Sequence, residues 1–370
     1  MATRERTCKR HLDPRGLVTG LVMGCLLVAG CSSSTDLNGR PVTASSSSAP
    51  APGALLTPKP VKAAAFPIEE SGPAARHGWF TWERANFKKH TDNYWAQHNG
   101  GPRLRINPKG TFGRDGDISA GRVVYSRERI HPYRATQTDI WQYNLATGHQ
   151  FRLTRRVNTP RGFELEPSLS GPFLLFRREL RPSLYATETD KVMLFDRARQ
   201  VMKTLAVVRR EARNDLAPFV DPGQVNGRYA TWTRVAWFAK PLKGGAYYDA
   251  PRSRVVLYDV KSGVTTRYAV MASNYVWSSA VSSDGTLYYV RSAVTASAYE
   301  SETPDYFMKR PLGGAPVVIA KLPPHVAIHQ LYVEDRPDGS HRLYFTIDNG
   351  NGRAGHNDVY KITDPPPSSE

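Results

Sequence analysis

Cysteine is nearly missing from this chain. Its 370 residues hold three, Cys8, Cys25 and Cys31, so nothing beyond position 31 can form a disulfide or a thiolate metal site. Acids are also short: 33 Asp and Glu face 50 Lys and Arg, for a formal net charge of +17. Helical periodicity is scarce after residue 62. Familiar catalytic signatures are missing too. There is no Gly-x-Ser-x-Gly elbow, no His-Glu-x-x-His and no Gly-rich phosphate loop before a helix. The sequence therefore names no catalytic residue, no cofactor and no metal.

What is present begins at the amino end. Arg4, Arg6, Lys9, Arg10 and Arg15 make a basic region, and an apolar run follows from Leu17 to Ala29. The run is shorter than the roughly 20 residues a membrane span needs, and it suits the apolar part of a signal peptide. It ends in Val28-Ala29-Gly30-Cys31, which resembles the bacterial lipoprotein box. The resemblance implies cleavage before Cys31, a diacylglycerol on its thiol, and a protein held at the cell membrane on the extracytoplasmic side. An ordinary secretory signal with a chance cysteine is the alternative. Residues 1–30 hold five Lys and Arg against two acids, which leaves +14 on the remainder. Such a charge draws anions: acidic lipid headgroups, cell-wall polyphosphates or acidic glycans. It also serves plain solubility. Nucleic acid is not an expected partner of an exported chain.

Residues 31–62 are rich in Ser, Ala, Pro and Thr, a composition that predicts a disordered tether. Residues 364–370 predict a disordered tail. Between them, residues 63–363 carry short alternating β-branched and aromatic runs broken by Gly, Pro and Asp. One hairpin unit, "DIWQYNLATGHQFRLT" (139–154), has relatives at 93–107, around Phe195, around Tyr258 and at 306–320. Each pairs two strands across a glycine corner, except that Gln200 stands at the glycine position of "DRARQ". Before each lies a second unit, as in "SLSGPFLLFRRE". The aromatics of its second strand are Trp82, Tyr125, Phe176, Trp232, Tyr289 and Phe345, spaced 43, 51, 56, 57 and 56 apart. Six copies of a four-strand unit predict an all-β fold, a six-bladed β-propeller of four-stranded antiparallel blades. A sandwich would not repeat the same strand order with the same turns.

The unit "DIWQYNLATGHQFRLT" followed by "EPSLSGPFLLF", with "VSSDGTLYYV" (281–290), is similar to the blade of TolB-like propellers. The resemblance spans roughly residues 76–363 and speaks to fold far more than to activity. The stretch "KAAAFPIEE" (62–70) is the candidate to supply a missing strand and close the ring.

In such a blade the second–third loops share one face, and here they are long and rich in Arg, Lys, Tyr and Trp. Two residues past each strand aromatic comes an arginine: Arg84, Arg127, Arg178, Arg234 and Arg291; only the sixth blade departs, with Ile347. Equivalent positions form a ring, and a guanidinium suits carboxylate or phosphate. Each arginine could instead pair with a nearby acid, and Glu83, Glu128 and Glu179 adjoin three of them. His325 and His329 fall on one face of a strand, too few for a metal site. The expected function is binding of an anionic envelope component or an envelope protein. The alternative is a propeller lyase or hydrolase acting on an acidic glycan. Three His or carboxylates converging in the channel would favour the enzyme.

Overall fold

The computed structural model describes residues 55–61, 69–86, 91–129, 137–160, 162–180, 188–210, 219–236, 252–269, 274–293, 305–322, 327–348 and 357–366. Among them there is no helix; the strands form six four-stranded antiparallel sheets. Blade 1 holds β2 (69–76), β3 (79–86), β4 (91–98) and β5 (103–105); blade 2 holds β6 (111–119), β7 (122–129), β8 (138–144) and β9 (150–152). Blade 3 holds β10 (162–170), β11 (173–180), β12 (188–196) and β13 (201–210); blade 4 holds β14 (219–226), β15 (229–236), β16 (252–259) and β17 (265–269). Blade 5 holds β18 (274–281), β19 (287–293), β20 (306–310) and β21 (317–321); blade 6 holds β22 (327–335), β23 (341–348), β24 (357–364) and β1 (59–60). The first strands β2, β6, β10, β14, β18 and β22 each touch the next, and β22 touches β2, which closes the ring.

The six strand aromatics are buried in the layers between blades; Trp82, Tyr125, Phe176 and Phe345 are fully enclosed. Apolar residues of one blade meet those of the next, as Val124 and Ile140 of blade 2 meet Leu174 and Met193 of blade 3. Burial of both sheet faces explains the alternating runs: each face packs against a neighbour. The hairpin corners use left-handed backbone, and Gln200 adopts it too, at φ 57°. Its side chain offsets part of that strain by donating to the Arg197 carbonyl at 2.7 Å.

Two boundaries differ from the sequence reading. The closing strand is not drawn from 62–70. Lys59 and Pro60, inside the expected tether, pair with Lys361 and Tyr360 as the outermost strand of blade 6, and Val61 N–H donates to the Val359 carbonyl. Glu69 and Glu70 instead begin the innermost strand of blade 1. The tail also starts later than residue 364. Asp364 ends β24 and is buried; it accepts from Tyr288 Oη at 2.6 Å and pairs with Lys309 Nζ at 2.7 Å. A carboxylate so partnered cannot belong to a loose tail. Residues 1–54, including Cys31, lie outside the described residues.

Polar side chains fill the lower channel. Arg76, at the end of β2, reaches across to Ser119, Ser170 and Asn226 on three other blades. Buried Gln224 of β14 exchanges two hydrogen bonds with the Val333 backbone of β22, across the ring. Asp117 accepts from Ser168 Oγ and Leu169 N–H at 2.7 and 2.8 Å. These contacts cross-link the inner strands at the end of the channel near the short turns.

Candidate functional site

The candidate site lies toward the opposite end of the channel. Near its mouth the inner strands lose their regular register, at β-bulges between Ser71 and Ala74, Arg114 and Gly116, Leu165 and Ser168, and His329 and Tyr332. Within these bulges Gly72, Asp115, Glu166 and Gln330 occupy equivalent positions with φ of 57°, 40°, 54° and 52°. Three of the four are not glycine. Left-handed backbone at such residues stores strain, which concentrates at functional positions. A bulge re-aims the side chain, here toward the axis.

The result is a cluster of carboxyls. Asp115, Glu166 and Asp221 line one continuous channel space with Gln330. Arg177 Nη2 lies 3.1 Å from Glu166 Oε1, and Gln330 donates to Asp115 at 3.2 Å. Gln330 also ties three blades together, accepting from Gly72 N–H at 2.5 Å and from Thr346 Oγ1 at 3.2 Å. Above them opens a cavity of about 360 Å³, walled by Phe219, Asn357, Ser278, Ser71, Thr346, Gln330, Asp221 and Arg177.

Electrostatics keep this cluster partly protonated. Burial raises Asp221 most, against the pull of Arg177, and sets it at about 7. Burial likewise lifts Glu166 well above the usual carboxyl range, and the interacting Asp221 adds to the lift. Asp115 is raised by burial while Arg114 and Arg177 work against it. Burial opposes the charge on Arg177, but Glu166 and Asp221 outweigh it and hold the guanidinium firmly protonated. Glu166 Oε2 and Arg177 Nε are buried with no hydrogen-bond partner among the described residues. Native interiors leave few such atoms unsatisfied. The mouth therefore offers a cation, a proton-bearing carboxyl pair, amides, hydroxyls and one aromatic face within one cavity.

The five arginines do occupy one rung, two residues past each strand aromatic. Their environments differ. Arg84 stands opposite buried Glu70, with Nε 3.7 Å from Oε1. Arg178 pairs with buried Glu164 at 2.9 Å and donates to the Val157 carbonyl at 2.7 Å. Arg127 stacks 4.0 Å over Trp141, and Arg291 lies 5.0 Å over Tyr306. Arg234 is exposed. Ile347 is buried. Two of the five charges thus face acids on the first strand of their own blade, Glu70 and Glu164. Glu128 serves Arg114 instead, at 2.8 Å. His325 and the His329 side chain lie outside the described residues, as do most residues of the long loops. Among the described residues no group of His, Cys, Asp or Glu is arranged to hold a metal.

Sequence reasoning missed Asp115, Glu166, Asp221 and Arg177. One trace existed: Gly72-Pro73 and Glu166-Pro167 recur at the same place before the hairpin turn, and Asp221-Pro222 lies one residue earlier in its blade. Proline there marks a break in the ladder.

No protein-family model and no curated protein sequence matches the chain. Solved structures do. A putative TolB from Agrobacterium tumefaciens aligns at 12% identity and TM-score 0.48, covering 81% of this chain and 92% of that one. The fold resembles TolB-like propellers. The β-propeller domain of the Trilobed protease from Pyrococcus furiosus aligns at 15% and TM-score 0.44, covering 82% and 83%. Oligogalacturonate lyase from Vibrio parahaemolyticus aligns at 11% and TM-score 0.45, covering 85% and 98%. The six-bladed assignment itself stands on the strand order within this chain.

Proposed function

We propose that the protein is a binding propeller, anchored through Cys31 to the extracytoplasmic face of the cell membrane, which takes a glycan end into the channel mouth. The mouth cavity carries this reading. A space of about 360 Å³ with Phe219 on one wall and Asn357, Gln330, Ser71 and Thr346 on the others suits a sugar ring: an aromatic face for its C–H groups, amides and hydroxyls for its hydroxyls. The carboxyls, raised toward neutrality, add donors as well as acceptors. An acidic group elsewhere on the same glycan would meet the rim, where Arg234 is exposed and Arg127 and Arg291 stack on aromatic rings.

A glycan array of neutral and uronic-acid oligosaccharides tests the reading. Retention of one class by the wild type, weakened about tenfold or more by Phe219→Ala or Asn357→Ala, is expected. Retention of no glycan, or retention indifferent to both substitutions, rules it out. The Glu166–Asp221 pair favours a second reading, cleavage of the bound glycan, because one carboxyl can give a proton while the other accepts one. New reducing ends or unsaturated products after incubation would identify it; an unchanged glycan would leave binding alone.

A further inference from the structure

A second cavity lies elsewhere, on the short-turn face. A groove of about 470 Å³ runs between blades 2 and 3, floored by Phe151, Leu153, Val157 and Phe195 and rimmed by Arg122 and Arg197. Phe151 is 40% exposed, a large apolar ring kept at the surface. The two guanidiniums are close enough to repel, and among the described residues no carboxylate pairs with either. Arg197 donates to Gln142 Oε1 at 2.7 Å, which holds the group in place without neutralising it. Arg178 and Arg152, by contrast, are balanced, by Glu164 at 2.9 Å and by Asp139 at 2.7 Å.

The groove is flanked by main chain that has no outer strand beside it among the described residues. β9, which carries Phe151, and β13, which begins beside Gln200, are the outermost strands of their blades. At ten residues β13 is the longest outer strand, and the others run from two to five. Val201 and Val207 on it are 56% and 46% exposed. Bare sheet edges are templates for another strand, and a fatty chain could not use them.

We propose that this groove docks an extended peptide of a partner protein, with a carboxylate between Arg122 and Arg197 and an apolar side chain against Phe151 and Leu153. The charge pattern requires an acid, the floor requires an apolar neighbour, and the free edges favour an extended backbone. The site faces away from the channel mouth, so it does not depend on what the mouth binds.

Short random peptides displayed on phage, panned against the full chain, test the proposal. Recovered peptides should carry Asp or Glu beside an apolar residue. Fluorescence anisotropy should show their affinity falling about tenfold or more in Arg122→Glu and in Arg197→Gln. Arg122 is exposed and makes no ion pair, so Arg122→Glu should melt like the wild type, and peptides with Lys in place of the acid should regain affinity for it. Recovery of no peptide, of peptides without an acid, or of peptides indifferent to both substitutions would overturn the proposal.

Discussion

Asp221 shows how one residue can hold two opposite roles. Arg177 favours its charge, burial and Asp115 oppose it, and burial wins. Its folded pKa of about 7 lies above the ordinary 3.8, so the folded protein keeps a proton that the unfolded chain has already released. By linkage its stabilising contribution is complete below about 3.8 and is lost as pH rises through about 7. Glu70, also at about 7, and Asp92, at about 6, act in the same direction. Asp221→Asn removes one such group. Urea unfolding between pH 4 and 8 should then show a shallower decline in stability than wild type; parallel profiles would refute the assignment. This residue could not be recognised beforehand. Arg84, Arg127, Arg178, Arg234 and Arg291 stand out in the sequence because they keep step with the strand aromatics. Asp115, Glu166 and Asp221 sit at or beside bulges, where the period-two pattern that guides sequence reading breaks down.

At the scale of the strand, the repeats were legible because both hairpins in each blade announce themselves. Glycine corners and buried aromatics recur, and even Gln200 takes the backbone its position demands. The closing strand was not legible. Lys59 and Pro60 are two exposed residues with no alternation, and only the free edge of β24 recruits them. Composition of the preceding stretch points to a tether, and it says nothing of pairing across some 300 residues. The far end of β24 is held differently, through Asp364 to Tyr288 and Lys309 of blade 5. Asp364→Ala strips the half-buried Lys309 ammonium of its partner and the buried Tyr288 hydroxyl of an acceptor, a change that costs about 2 kcal/mol for charge-assisted hydrogen bonds. The denaturation midpoint should fall accordingly, with a smaller fall for Asp364→Asn, which keeps an acceptor. No change in either would mean that the pair carries no weight in closing blade 6.

The whole molecule is chemically two-sided. The channel mouth gathers acids around Arg177, while the groove on the other face gathers unpaired arginines over an apolar floor. A net charge of +17 hides this division, because it averages over both faces. Between them the Arg76, Gln224 and Asp117 contacts tie the inner strands of the blades together across the channel. The closure in blade 6 has a further consequence. Lys59 lies opposite Lys361 in antiparallel register, so the two ends of the described chain, at Leu55 and Pro366, leave this edge in the same direction, and Leu56 N–H donates to the Ile319 carbonyl of blade 5. Topologically the propeller is a loop of string cut at one arbitrary point. Splicing Pro366 to Leu55 through a brief glycine linker, and opening new ends between blades 3 and 4, should yield a permuted chain that still melts cooperatively. The same opening without the splice leaves two fragments joined only by non-covalent contacts, among them β1 on β24 and β2 on β22, so its melting should depend on concentration.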